Sequence, residues 1–87
     1  KVIYFLTINF IMENKEYNIE YKCPCCNKYT FYDLYDICPY CFWENDPIQL
    51  DNPYRSSGAN KVSLIEAREN FIKYGTSEKR FVKCVKK

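Results

Sequence analysis

Two Cys-x-x-Cys pairs are the residues of this sequence best suited to chemistry. Cys23 and Cys26 form the first pair, Cys38 and Cys41 form the second, and a proline directly follows the first cysteine of each pair. The two-residue spacing allows both sulfurs of a pair to bind one ion, while backbone N–H groups in the tight turn point at the thiolates. The spacing therefore predicts a single tetrahedral site of four thiolates that holds one Zn²⁺.

Other uses of the same four cysteines remain open on sequence grounds. A rubredoxin also uses two Cys-x-x-Cys knuckles, around one iron, so the residue types do not distinguish Zn²⁺ from iron. Disulfides would suit a secreted chain, but paired Cys-Pro-x-Cys knuckles favour a metal. A thioredoxin-like redox centre needs a βαβ frame, for which the chain is too short. The absence of histidine excludes zinc fingers that use histidine ligands.

Two further cysteines lie outside this set. Cys25 lies inside the first knuckle, between two expected ligands, and is expected to be a small side chain packed against the domain. The alternative is a reactive thiol, which the net negative charge of a metal–thiolate cluster disfavours because it raises the thiol pKa. Cys84 lies in a basic tail and is expected to be a small buried residue.

The length of 87 residues indicates one small domain, whose core alone gives only marginal stability. The apolar run Val2–Met12 is too short for a membrane helix, which needs about 20 residues. We expect Met12 to be the true start, residues 1–11 to be a doubtful N-terminal extension, and residues 12–87 to form the domain. An added edge strand, or a targeting or membrane role, are the alternatives for that run.

The knuckles need elements that hold them together. Residues 17–22 alternate apolar and polar side chains and read as a strand that enters the first knuckle. Residues 29–32 and 34–37 are rich in aromatic and β-branched side chains and predict a hairpin that turns near Asp33. Residues 45–60 contain two prolines, two serines and a glycine and are expected to form a long loop.

A helix is predicted over residues 64–74. Ser63 and Glu66 have the spacing of a capping box, Val62 and Ala67 that of a hydrophobic staple, and Gly75 is a helix stop. The expected apolar face consists of Leu64, Ala67, Phe71 and Tyr74, broadened by Ile65 and Ile72.

A second, shorter helix capped by Thr76 or Ser77, or else a strand, is expected after the first helix, with Phe81, Val82 and Val85 as its apolar residues. The fold class is thus a small metal-stabilised α+β fold. It has zinc-ribbon or rubredoxin-like knuckles with a β-hairpin, followed by one clear helix and a second short one.

Charge is unevenly distributed along the chain. Residues 29–54 contain no Lys or Arg but five acidic residues, whereas residues 73–87 contain six basic residues and one acidic residue. Four thiolates and one Zn²⁺ together contribute −2, which would bring the formal net charge of +2 to zero. A nearly neutral protein has little overall attraction for nucleic acid.

The motifs in order resemble those of the cysteine-rich CPCC family of small, mostly bacterial proteins. The resemblance runs from Tyr21 to Val85 and rests on three segments. These are Cys23-Pro24-Cys25-Cys26, Ile37-Cys38-Pro39-Tyr40-Cys41-Phe42-Trp43-Glu44, and Gly58-Ala59-Asn60-Lys61-Val62-Ser63-Leu64 with Glu66-Ala67-Arg68. The resemblance implies metal binding and a start at Met12, and it implies no particular activity.

The leading functional prediction is a non-catalytic, zinc-stabilised interaction module in the cytoplasm, with a protein partner and no membrane. Its expected contact surface consists of Phe42, Trp43, Glu44, Tyr54 and Arg55. The alternative role for Phe42 and Trp43 is to anchor this loop against the helix. An enzyme is not expected, because no paired carboxylates stand at a recognisable spacing and a Cys₄ zinc site has no open position for water.

Two alternative functions are retained. The first is a zinc ribbon that binds nucleic acid through the basic tail, Lys79, Arg80, Lys83, Lys86 and Lys87. The second is a rubredoxin-like redox protein, which would require iron in place of zinc.

Overall fold

The computed structural model describes residues 20–85, and these form a small α+β fold built around a short antiparallel hairpin. Strand β1 (Tyr21–Lys22) pairs with strand β2 (Thr30–Phe31), with Tyr21 opposite Phe31 and Lys22 opposite Thr30. Helices α1 (Pro47–Asp51) and α2 (Leu64–Tyr74) follow, and a 3₁₀ helix (Lys79–Cys84) ends the described chain. The apolar run 2–12, the Met12 boundary and residues 17–19 of the predicted first strand lie outside these residues.

The predicted hairpin over residues 29–37 is wrong. The β1–β2 hairpin instead encloses the first knuckle, and an isolated antiparallel bridge between Ile37 and Glu44 encloses the second knuckle. Each knuckle is therefore itself the turn of a hairpin, because its proline and tight backbone bonds reverse the chain. Residues 32–37 connect the two knuckles. We call them the inter-knuckle turn.

The predicted loop over residues 45–60 contains helix α1, which the sequence pattern did not predict. Asp46 is its N-cap: the Asp46 carboxylate accepts hydrogen bonds from the backbone N–H groups of Ile48 (2.9 Å) and Gln49 (3.4 Å). Pro47 occupies the first helical turn, where its missing N–H costs nothing. Asp-Pro is thus a helix start here, although proline in this segment contributes to the predicted loop.

A group of buried polar side chains fixes α1 against the chain that leads into α2. We call Asp46, Gln49 and Asn60 the polar core; each is at most 5% exposed. The second carboxylate oxygen of Asp46 accepts a hydrogen bond from the Ala59 backbone N–H at 2.8 Å. The Asn60 side chain pairs with the backbone of Glu44, accepting from its N–H (2.9 Å) and donating to its carbonyl (2.8 Å).

Gln49 is the centre of the polar core. Its amide nitrogen donates to the backbone carbonyls of Arg55 (3.0 Å), Asn60 (3.2 Å) and Val62 (3.1 Å). Its amide oxygen accepts from both the backbone and the side-chain nitrogen of Asn60, each at 3.0 Å. The polar core therefore holds the segment that follows the second knuckle in one fixed position beside α2.

Helix α2 has the predicted bounds and the predicted ends. The Ser63 hydroxyl accepts from the Glu66 N–H (3.0 Å), the Glu66 carboxylate accepts from the Ser63 N–H (3.3 Å), and Gly75 is left-handed with φ +79°. Leu64 and Ala67 are buried in the core. Ile72 is 84% exposed, so the predicted broadening of the apolar face by Ile72 is wrong.

The segment after α2 is helical, as one of the two predictions had it, and forms the 3₁₀ helix. The predicted cap is wrong, because Glu78 is the N-cap residue and makes no side-chain capping bond. The Thr76 hydroxyl donates to the Glu78 carbonyl at 2.6 Å instead. Within residues 20–85, no helix combines the length and apolar character needed to cross a membrane.

The core lies where the hairpin, the second knuckle and α2 meet. Phe31 and Trp43 are at most 1% exposed, and the rings of Tyr21 and Tyr29 pack edge-on against Phe31, with centroids 6.2 and 5.7 Å away. Large rings bury much apolar area in a small domain, and each Å² of apolar surface removed from water stabilises the fold by about 25 cal/mol. The buried apolar residues also include Leu64, Ala67 and most of the cysteines.

Candidate metal centre

The first knuckle is a tight turn closed by backbone hydrogen bonds. The Cys23 N–H donates to the Tyr29 carbonyl (2.7 Å), and the Asn27 N–H donates to the Cys23 carbonyl (2.8 Å). Asn27 has φ +62°, the left-handed conformation that asparagine tolerates better than most residues. Asn27 thus completes the chain reversal directly after the second cysteine of the first knuckle.

The second knuckle repeats this pattern with a different residue at the left-handed position. The Cys38 N–H donates to the Trp43 carbonyl and the Phe42 N–H donates to the Cys38 carbonyl, both at 2.9 Å. Phe42 has φ +69°, which is unfavourable for a bulky side chain, but its ring packs on Phe81 with centroids 4.6 Å apart. Phe42 directly follows the second cysteine of its knuckle, as Asn27 does in the first knuckle. This shared position was the sequence signal that could have predicted the left-handed conformation of Phe42.

The two knuckles bring the four predicted sulfurs together. All four ligand atoms of Cys23, Cys26, Cys38 and Cys41 lie within 4.8 Å of one another. The Cys23–Cys41 and Cys26–Cys38 sulfur pairs are 3.6 and 3.5 Å apart. A tetrahedron with Zn–S bonds of about 2.3 Å has edges of about 3.8 Å, so these sulfurs fit around one such ion. We call these four residues the thiol cluster.

Protons and burial also favour a cation at the thiol cluster. Cys23, Cys38 and Cys41 are at most 1% exposed, and all six cysteines of the chain are free thiols. Contact with Cys26 raises the pKa of Cys23, and contact with Cys23 raises the pKa of Cys41. Contact with Cys23 lowers the pKa of Cys38 and of Cys26. The four thiols are thus close enough to perturb one another's ionisation, and a divalent cation bound between them would displace their protons.

A backbone donor adds to this environment. The Tyr40 N–H lies 3.3 Å from the Cys38 sulfur, within the hydrogen-bonding range for sulfur. Such turn N–H groups stabilise negative charge on a thiolate. A cluster with this donor, three buried sulfurs and tetrahedral spacing can hold a metal ion.

The two remaining cysteines differ in their surroundings. Cys25 is buried, and its thiol donates to the Ala67 carbonyl of α2 at 3.4 Å, which confirms the predicted packing role. The Arg68 guanidinium donates to the Pro24 carbonyl at 2.8 Å and gives the same knuckle a second link to α2. Cys84 is exposed, so its predicted burial is wrong. The 3₁₀ helix turns the Cys84 side chain outward.

The predicted contact surface is divided by the fold. Trp43 is 1% exposed and belongs to the core, so its side chain offers no exposed contact area. Phe42 packs on Phe81, as described above, and Glu44 is only partly exposed. Tyr54 is 83% exposed and Arg55 is exposed as well. A binding role for Tyr54 and Arg55 stays a prediction.

Asn45 is a buried residue with a positioning role that the sequence did not reveal. It is 1% exposed, and its side-chain oxygen accepts a hydrogen bond from the Tyr21 hydroxyl. Its side-chain nitrogen donates to the Asp33 carbonyl at 3.0 Å. Asn45 therefore links strand β1, the inter-knuckle turn and the second knuckle.

Comparison with protein-family models gives a match to this chain. The family model described as Cysteine-rich CPCC matches residues 21–87, about three-quarters of the chain. No curated protein matches the sequence. The matched region contains the thiol cluster, the polar core and both α-helices.

Proposed function

The chain belongs to the cysteine-rich CPCC family, and from this premise we propose that its thiol cluster binds one structural Zn²⁺. We propose further that the zinc-stabilised domain is a non-catalytic protein-interaction module. The observation that carries the zinc proposal is the convergence of four thiols from two knuckles within 4.8 Å of one another. A small domain of this size needs such an aid, because its apolar core alone gives marginal stability.

Zinc suits the donor set best among the metals considered. Four cysteine sulfurs in a tetrahedral arrangement are typical of structural zinc sites and of some iron sites. A site with four protein ligands leaves no coordination position for water or a substrate, which supports a structural and non-catalytic role. Thiolates must also stay reduced, and we therefore place the protein in the cytoplasm.

Metal analysis combined with thiol counting tests this proposal. Protein purified without an affinity tag is expected to contain one zinc per chain by elemental analysis. A thiol reagent should label Cys84 rapidly in the folded protein, because Cys84 is exposed, and should label all six cysteines after chelation in denaturant. Iron in place of zinc would colour the protein, and protein without metal but with disulfides would refute the proposal.

Nucleic-acid binding is the second candidate, and one feature favours it. Lys79, Arg80 and Lys83 are exposed on one 3₁₀ helix, where they line a shallow groove with Val82. Arg80 is also paired with Glu78, at 2.6 Å, which reduces the charge available to phosphates. Affinity for single- and double-stranded DNA and RNA, measured at low and high salt, tests this candidate. Our leading proposal expects no salt-dependent binding, because the acidic half of the domain opposes it.

A further inference from the structure

The inter-knuckle turn exposes an unusual concentration of large apolar side chains. Tyr32 is 59% exposed, Leu34 44%, Tyr35 53% and Ile37 42%, all within residues 32–37. Single apolar residues on a surface are ordinary, but four large ones within six consecutive residues of one turn indicate a site of interaction. The apolar core of this small domain has few buried residues, and these four side chains do not add to it. Core packing therefore does not explain why large apolar residues occur in this turn.

Hydrogen bonds with Asn45 hold the turn that presents these side chains in one conformation. The Tyr35 N–H donates to the Asn45 carbonyl (2.9 Å), and the Asn45 N–H donates to the Asp36 carbonyl (2.8 Å). The Asn45 side chain adds its bond to the Asp33 carbonyl, and the Asp36 N–H donates to that same carbonyl at 3.3 Å. Since Asn45 is buried beside the second knuckle, the turn is ordered before any partner arrives. Preorganisation of this kind lowers the entropic cost of binding.

Tyr35 indicates that the turn is not optimised for stability. Its φ is +60°, a left-handed conformation that glycine or asparagine adopts more readily than an aromatic residue. The Tyr35 ring is more than half exposed, so burial does not offset the backbone strain. Strained residues of this kind cluster at functional sites, where the strain serves binding.

The charge of the region specifies the kind of partner. Asp33 is exposed, and Asp36 is half-buried with its carboxylate accepting a hydrogen bond from the Tyr29 hydroxyl at 3.5 Å. No Lys or Arg occurs in residues 29–54. An acidic, apolar surface is complementary to Lys and Arg side chains mixed with apolar ones, and it repels the phosphates of nucleic acid.

We infer that residues 32–37 form a docking surface for a basic, apolar peptide segment of another protein. This inference rests on the proposed interaction function and names its surface and partner class. The apolar side chains supply buried contact area, and the two aspartates select positive charge and set the salt dependence. The surface differs from the one expected from the sequence, because Trp43 is buried and the inter-knuckle turn is exposed.

Peptide selection provides the test. A phage-displayed library of random peptides is selected against zinc-loaded wild-type protein, and enriched peptides are synthesised for affinity measurements. We expect enriched peptides to be basic and to contain large apolar residues. Their affinity should fall at least roughly tenfold for a Tyr32→Ala/Leu34→Ala double variant. An Asp33→Asn/Asp36→Asn variant should bind more weakly and with less salt dependence. Ile72→Ala, at an apolar and even more exposed site on α2, should bind like wild type.

A stability measurement on Tyr35→Asn separates a functional residue from a structural one. We expect this variant to be at least as stable as wild type in urea, because asparagine fits the left-handed backbone. We also expect it to bind the selected peptides at least roughly tenfold more weakly. A Tyr35→Asn variant that is less stable and binds normally would contradict the inference.

Other outcomes overturn the docking surface in distinguishable ways. Acidic peptides, no enriched peptides, or peptides that bind the Tyr32→Ala/Leu34→Ala variant normally would refute it. Wild-type protein that sediments as a dimer, with a monomeric double variant, would assign the surface to a second copy of this chain and refute the partner class. Elemental analysis of each sample keeps the two proposals apart. One zinc per chain without turn-dependent binding refutes this inference alone, whereas absence of metal refutes the proposed function.

Discussion

The thiol cluster and the polar core are two buried groups of polar side chains, and they are completed in different ways. In the thiol cluster, four sulfurs lie within 4.8 Å of one another. Among themselves, these sulfurs can form only weak S–H···S contacts. In the polar core, the side-chain oxygens and nitrogens of Asp46, Gln49 and Asn60 all have backbone or side-chain partners at 2.8–3.4 Å. The thiol cluster can take up an ion from outside, and the polar core is complete within the chain.

This difference teaches how a small domain can hold a long irregular segment. A buried amide that meets carbonyls and N–H groups acts as a substitute for secondary structure. Gln49 satisfies three backbone carbonyls that no strand or helix satisfies. We therefore expect loss of metal to destroy the knuckles, and loss of the polar core to destabilise the zinc-loaded protein without removing its zinc.

Breaking the thiol cluster should have the largest effect. Chelation, or a Cys38→Ser substitution, is expected to unfold the domain, because structural Zn²⁺ contributes about 10–16 kcal/mol in small zinc-finger peptides. Circular dichroism and the loss of dispersed NMR signals measure this. Cys84→Ser is the matched control, since Cys84 is exposed and lies outside the cluster, and it should fold and bind zinc normally. A folded, metal-free Cys38→Ser protein would show that the polar core and apolar core suffice.

Replacing the central hydrogen-bond donor of the polar core by an acceptor should have the next largest effect. Gln49→Glu has nearly the same shape but points a carboxylate oxygen at the carbonyls of Arg55, Asn60 and Val62. We expect a loss of about 3–5 kcal/mol in the free energy of unfolding, measured in urea at fixed free zinc. The same amide-to-acid change at exposed Asn52 should cost less than about 1 kcal/mol. Equal effects at both positions would mean that the polar core has no special role.

The two glycines of the chain should differ in a way that reports on the polar core. A Cβ at Gly58 would lie 2.6 Å from the Asp46 carboxylate and 3.0 Å from the Gln49 side chain. Gly58→Ala should therefore cost about 2–3 kcal/mol by displacing these bonded side chains. Gly75 has open space and φ +79°, so Gly75→Ala should cost about 1 kcal/mol through the backbone alone. Thermal and urea unfolding with zinc bound measure the loss of stability in each variant. A larger loss for Gly75→Ala than for Gly58→Ala would contradict this explanation.

The smallest expected effect concerns the bond between strand β1 and the second knuckle. Tyr21→Phe removes the hydroxyl that donates to Asn45 and should cost about 1 kcal/mol at neutral pH. Burial raises the pKa of Tyr21, so its contribution is complete below the ordinary tyrosine pKa and is lost as pH rises through the raised value. Unfolding of wild type in alkali should thus be partly suppressed in Tyr21→Phe. Tyr54→Phe, at an 83% exposed site, should change neither property.

The sequence by itself determined the features that depend on neighbouring residues. The Cys-Pro-x-Cys spacing places two sulfurs on one turn, and Ser63, Glu66 and Gly75 define the ends of α2 with residue-level accuracy. Asn27 in the left-handed conformation belongs to the same class. Each of these follows from local backbone chemistry, which acts within one turn of the chain.

Tertiary structure alone decided which residues are buried and which segments pair. Trp43 is buried in the core, as the alternative to a contact role predicts, whereas Cys84 is exposed against the prediction and Tyr35 is exposed as well. The β1–β2 pairing and the completion of Gln49 by residues 55–62 join segments that are distant in sequence. Burial and hydrogen-bond satisfaction depend on what packs on the other side of a residue, and a local pattern carries no information about that neighbour.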